Sequence, residues 1–211
     1  MKTKQHNIFG LLILIVSMLL TASVNAADLL APQKAIQEAS DKLQHRLQDK
    51  AFSQNFAEVA SFVDQTIYPH TDFDKISELV LGKLWKAASS DEQIGFKKEF
   101  KTLLVRTYSR AFVEFKDWTV RFLPLEMASG ADKVVVKTEV LQPGLQPISV
   151  NYRMFLRNGD WKAYDIMIEG VSLVTNYRST FSNEVKTKGS LAAVIQGLSK
   201  RNAEALAAKN S

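Results

Sequence analysis

The chain has 211 residues, 46% of them hydrophobic, a formal net charge of +5 and no cysteine. Lacking cysteine, it can form neither disulfides nor thiolate metal sites nor a thiol nucleophile, so packing alone must hold the fold together. The basic excess is mild and comes without a dense Lys/Arg block, which argues against a nucleic-acid partner.

The N-terminus reads as an address. Lys2 and Lys4 precede an apolar run from Ile8 to Leu20, too short for a comfortable bilayer span, and Val24-Asn25-Ala26 offers small residues for cleavage. Residues 1–26 are therefore expected to be a secretory signal, cut after Ala26. No cysteine follows to take a lipid, so the mature chain is expected to be soluble outside the inner membrane. Loss of Lys2 and Lys4 lowers the formal charge from +5 to +3, since every acidic residue lies downstream. Residues 27–200 are expected to form one domain, with 201–211 a flexible, alanine-rich tail.

From Pro32 onward Ala35, Ile36, Ala39, Leu43 and Leu47 recur at helical spacing. A second helix is predicted from about Ser53, with Phe56, Val59, Ala60, Val63 and Ile67 on one stripe, ended by Tyr68-Pro69. Thr71-Asp72-Phe73-Asp74 supplies a cap and first-turn acid for a third, carrying Ile76, Leu79, Val80 and Leu84. Ser90 and Gln93 have capping-box spacing. The helix they open carries Phe96, Phe100, Leu103, Leu104, Thr107, Tyr108, Ala111, Phe112 and Phe115, and extends about 35 Å at about 1.5 Å per residue.

After Asp117 the period changes to two. Trp118, Val120 and Phe122, then Val134, Val136 and Val140, then Ile148, Val150, Tyr152 and Met154 each alternate with polar residues. Asn158-Gly159 predicts a hairpin into a fourth strand, Trp161 to Ile168, which is apolar on both sides and expected to be the most covered. That strand breaks at Gly170 and passes directly into a helix carrying Leu173, Val174, Tyr177, Phe181 and Val185, with Ser172 as its cap. Gly189 and Ser190 separate it from a last helix with Leu191, Val194, Ile195 and Leu198. The expected class is α+β: helices against a curved, mostly antiparallel four-stranded sheet.

Constellations for catalysis are scarce. Beyond the signal only His45 and His70 remain, neither spaced for a triad or a metal site. Gly82 lacks the further glycines and the Lys-Ser/Thr pair of a nucleotide loop. Asp165, near Glu169, is the one candidate for a buried general base, and the competing role is to accept backbone N–H groups at the strand-to-helix junction. Basic side chains on the polar strand faces, Arg121, Lys133, Lys137 and Arg153, suit either a solvated face or an anionic partner.

Two runs carry a resemblance. Asp72-Phe73, Val80-Leu81-Gly82-Lys83-Leu84-Trp85, Gln93, Phe96, Phe100 and Tyr108 resemble the helical half of the MlaC family, periplasmic phospholipid-binding proteins also called toluene-tolerance proteins. Trp161-Lys-Ala-Tyr-Asp-Ile-Met-Ile-Glu-Gly-Val-Ser-Leu-Val, with Tyr177, Phe181, Gly189 and the helix from Leu191 to Leu198, is similar to its C-terminal half in order and spacing. The resemblance implies a cone-like fold of the nuclear-transport-factor type whose sheet and helices enclose acyl chains. It also implies a periplasmic, non-enzymatic carrier without cofactor, whose cargo is phospholipid. Its implied partners are an MlaA-like outer-membrane lipoprotein and porin complex, and an inner-membrane ABC transporter with an MlaD-like MCE protein. The service implied is outer-membrane lipid asymmetry.

On that reading the acyl contacts are expected at Tyr108, Phe112, Val120, Phe122, Val136, Val150, Tyr152, Met154, Tyr164, Ile166 and Val174, with Lys137 and Arg153 at a head-group mouth. The alternatives are a cone-fold isomerase or hydratase with Asp165 as base, and a periplasmic adaptor with a filled core.

Overall fold

The computed structural model describes residues 28–114 and 117–207. The expected signal and its cleavage point, Phe115, and the last four residues of the expected tail lie outside these.

Helix α1, Ala31–Leu47, has Pro32 in its first turn and buries Ile36, Leu43 and Leu47, as its apolar spacing predicts. The single helix expected next is two. Asp49 caps α2, Lys50–Gln54, and Asn55 then leaves the helical conformation to cap α3, Phe56–Ile67, by accepting from the Glu58 amide. Tyr68–His70 forms a 3-10 turn at the proline. Asp72 caps α4, Phe73–Leu81, accepting from Lys75 N at 2.8 Å. Gly82, at φ +55°, stops α4 before α5, Lys83–Ala87.

The long helix α6, Ser90–Glu114, opens on a capping box one residue earlier than the spacing suggests. Ser89 Oγ accepts from Glu92 N at 3.2 Å while Ser89 N donates to Glu92 Oε2 at 2.9 Å. Gln93 Nε2 is thereby free to donate to Trp85 O at 2.9 Å, tying α5 to α6.

The strands are β1 (Thr119–Phe122), β2 (Lys133–Leu141), β3 (Ile148–Arg157), β4 (Asp160–Ile168) and β5 (Val171–Ser172). They form one antiparallel meander in chain order. The sheet has five strands rather than four: after the reversal at Glu169 (φ +49°) and Gly170 (φ +78°), Val171 pairs with Ile168 and Ser172 with Met167. Ser172 caps α7, Leu173–Lys188, so strand passes into helix without a linker. Helix α8, Leu191–Ala207, continues through residues 201–207, which the sequence assigned to a flexible tail. Asn202 pins that end: it is 2% exposed, and its Nδ2 donates to Glu99 O at 2.9 Å and Glu99 Oε2 at 2.8 Å.

Three packed clusters result. Ile76, Val80, Phe96, Phe100, Phe181, Val194 and their neighbours unite α4, α6, α7 and α8, with no strand residue among the buried members. Phe96, Phe100 and Phe181 meet edge to face or stacked at 5.0 to 5.6 Å between centroids. Leu43, Leu47, Phe52, Val59, Val63 and Trp118 join the first three helices to the start of β1. Ile36 of α1 lies with Val136, Met154, Trp161 and Ala163 on the sheet. β4, expected to be the most covered strand, is where α1, α4, α7 and the 3-10 turn converge.

Candidate functional site

Register fixes which side chains share a face. Val136 pairs with Tyr152, Thr138 with Val150 and Val140 with Ile148; across the next seam Val150 pairs with Ile168 and Tyr152 with Ile166. These residues, with Val120 and Phe122 opposite Val140 and Thr138, make the inner face. Lys137, Asn151 and Arg153 alternate with them and belong to the outer face.

α1 lies along the inner face: Ile36 packs with Val136 and Met154, which are 0% exposed, and Leu43 and Leu47 belong to the cluster that Val120 and Val140 join. Val136 and Met154 are among the expected acyl contacts, and here they pack against Ile36 and Trp161. Phe122 and Tyr152 pack against the Ile36 cluster, and Val120 and Phe112 against the cluster of Leu43, Leu47 and Trp118. These four, with Ile166 on the sheet and Leu104 and Tyr108 on α6, are half-buried, while Val150 is nearly closed at 9% exposed. Phe112 packs on Trp118, with ring centroids 5.7 Å apart.

Local geometry places two further expected contact residues. A bulge opposite Arg153 and Met154 gives β4 an extra residue there, Tyr164, whose ring packs at 5.6 Å on Phe155, a neighbour of Met154 facing the other way. Val174 is buried in the helical cluster and not on the sheet's inner face.

Burial acts on the phenols of this region. Burial pushes the Tyr152 hydroxyl up to about 12, with the Thr138 hydroxyl pulling the other way. Burial likewise raises Tyr108, reinforced by nearby Tyr177, and raises Tyr177 itself against the pull of Arg106. Thr138, fully buried, satisfies its own hydroxyl by donating to Val150 O at 2.6 Å.

Asp165 is 3% exposed, and its two oxygens are engaged at the strand-to-helix junction. Oδ1 accepts from Val174 N at 3.1 Å; Oδ2 accepts from Ser172 Oγ at 2.7 Å and from Arg153 Nη1 at 3.2 Å. This is the structural alternative weighed in the sequence. Arg153 is correspondingly bound to Asp165, and Lys137 is exposed on the outer face, so neither stands beside the inner wall. Among the described residues no group of three or more His, Cys, Asp or Glu could hold a metal, and no helix is long and apolar enough to cross a membrane.

A meander sheet whose apolar inner face packs against helices, with a long amphipathic helix beside it, defines an α+β fold. Comparison with known proteins places it: the family model described as MlaC protein matches residues 37–200, and the chain belongs to the MlaC family.

It is 23% identical over 149 residues to the intermembrane phospholipid transport system binding protein MlaC of Haemophilus influenzae, covering 68% of this chain and 70% of that one. It is 23% identical over 128 residues to the toluene tolerance protein ttg2D of Pseudomonas putida, covering 60% of this chain and 59% of that one. A phospholipid-binding protein of Ralstonia solanacearum, solved in complex with a phospholipid, superposes with a TM-score of 0.76 and 29% identity over 83% of this chain and 99% of its own.

Proposed function

We propose that this chain is a periplasmic phospholipid carrier, moving lipid between an outer-membrane lipoprotein and porin complex and an inner-membrane ABC transporter with an MCE protein, and so serving outer-membrane asymmetry. The observation that carries this reading is the superposition on 99% of a protein solved with phospholipid bound. The half-buried aliphatic and aromatic side chains of the inner face support it, because such side chains are what acyl chains need.

The acyl wall on this reading is Val120, Phe122, Val150, Tyr152 and Ile166 from the sheet, with Tyr108 and Phe112 from α6. Two chains of about sixteen carbons hide roughly 30 methylenes, about 25 kcal/mol gross at about 0.8 kcal/mol each. Water cannot carry such a load, so a dry wall must replace most of the membrane's contribution. The cargo is the only non-protein component needed, and the carrier needs no nucleotide of its own.

The test is native mass spectrometry of mature protein purified from the periplasm without detergent, with organic extraction of the same sample. A mass excess matching extracted phospholipid is expected. Val150→Trp, which fills the nearly closed part of the wall, should abolish the excess while leaving the circular-dichroism spectrum unchanged. A bare polypeptide mass in the fresh wild-type protein would sink the carrier reading.

A further inference from the structure

We propose that Arg106, with Arg110, Arg201 and Tyr177, forms a phosphate site where α6, α7 and α8 meet, and that it takes the phosphate of the cargo's head group. The inference rests on the carrier reading and concerns the one part of the cargo that an apolar wall cannot hold.

A head-group phosphate needs a cation, and the sheet does not supply one: Arg153 is bound to Asp165, and Lys137 is exposed on the outer face. α6 does. Arg106 is half-buried, and its Nε donates to Asn202 Oδ1 at 2.9 Å. Asn202 is fixed in turn, because its Nδ2 donates to Glu99 O and Glu99 Oε2. The amide of Asn202 thus engages the Glu99 carboxylate and offers Arg106 only a neutral acceptor. Among the described residues neither Arg106 nor Arg110 has a carboxylate partner. Buried and half-buried charges are normally paired, so this arrangement leaves room for an anion.

Further groups converge on the same place. Arg110 lies four residues along α6, at the spacing that puts two side chains on one helix face. Arg201, beside Asn202 on α8, bonds Glu184 at 3.1 Å, a carboxylate it shares with Lys188, so the excess of positive charge remains. Tyr177 comes from α7, its ring 5.1 Å from that of Phe100 on α6. Burial holds Arg106 below the usual guanidinium range, with Tyr177 opposing the shift and Arg110 and Arg201 adding to it. With Nε held by Asn202, both Nη groups of Arg106 are left for one ligand, and their planar fork matches two oxygens of a phosphate. Tyr108, two residues on from Arg106, feels Tyr177 and belongs to the proposed acyl wall. The two phenols therefore mark the border where apolar wall gives way to cations.

The experiment exchanges the mature protein's cargo against phosphatidylcholine vesicles doped with diacylglycerol of the same chains, which differs by lacking the phosphate. Native mass spectrometry then reads the ratio of the two lipids captured. Arg106→Gln with Arg110→Gln should lower the phospholipid preference on the order of tenfold, as expected for lost charge-assisted bonds. Arg110→Gln alone, at an exposed position whose loss leaves the fold intact, should lower it roughly threefold. Arg106→Lys, which keeps charge but loses the fork, should fall between wild type and the double variant. Lys34→Gln with Lys50→Gln removes the same charge from exposed positions on α1 and α2 and should keep the wild-type ratio. Inorganic phosphate added to the loaded protein should keep its narrow phosphorus NMR line, because the lipid fills the site. Arginine variants with the wild-type ratio overturn the head-group assignment. If wild type then broadens the inorganic line and the double variant does not, the site serves free phosphate; with neither effect the site falls. A wild-type protein that captures neither lipid overturns the carrier reading, and the phosphate line alone then decides the site.

Discussion

Asp165→Asn separates the structural role of this carboxylate from a catalytic one. The substitution keeps shape and one acceptor, so Oδ1 can still receive Val174 N, but it places an amide NH₂ where Oδ2 now accepts from Ser172 and Arg153. Ser172 can turn to accept from that amide, since its oxygen already receives Thr175 N at 3.1 Å and has a second lone pair. Arg153 cannot turn, because donor would face donor. Losing one bond to a charged acceptor in a buried setting costs about 1.5–3 kcal/mol. The ion-pair share is discounted to about 1 kcal/mol or less because Arg153 is 44% exposed and can return to water.

The expected destabilisation is therefore about 2–4 kcal/mol, set against about 5–15 kcal/mol for a domain of this size. Urea unfolding followed by far-ultraviolet circular dichroism gives the midpoint and slope directly. The midpoint should fall with the slope unchanged, and phospholipid content per folded molecule should stay at the wild-type level. A midpoint shift worth under about 0.5 kcal/mol would refute the junction role, because no buried charge-assisted acceptor is removed so cheaply.

Three further outcomes follow from single features. The raised Tyr152 hydroxyl makes stability constant below pH 10 and falling as pH rises from about 10 to about 12, by about 1.4 kcal/mol per unit for each such phenol; Tyr108 and Tyr177 shift in the same direction, and absorbance at the phenolate band against pH checks it. Gly82→Ala should cost about 1–3 kcal/mol from backbone strain, since φ is +55° there and a Cβ would meet only Arg178 Nε at an ordinary 3.8 Å; thermal unfolding against wild type reads it. Truncation after Lys200 should cost about 2 kcal/mol, because it removes Asn202 and its bonds to Glu99 and Arg106; an unchanged melting temperature would return these residues to the status of a free tail.

Element type was legible wherever one period dominated. The alternation from Trp118 to Met154 gave the first three strands and their shared face, and Asn158-Gly159 gave the β3–β4 hairpin. What failed was decided by single side chains that compete for backbone groups. Asn55 caps its own helix and divides one expected helix into two; Ser89 rather than Ser90 starts α6 because Glu92 reaches back to it. The two residues of β5 were too few to show a period.

The candidate wall was legible as a face but not as a surface. Alternation says that Val136 and Val150, or Met154 and Tyr152, point the same way, and nothing in it says which of them α1 will bury. Ile36 packs on Val136, Met154 and Trp161, a contact that no local pattern in β2 or β3 records. Tyr164 illustrates the sharper limit: one extra residue in β4 turned a side chain that the strict period put among inner positions onto Phe155.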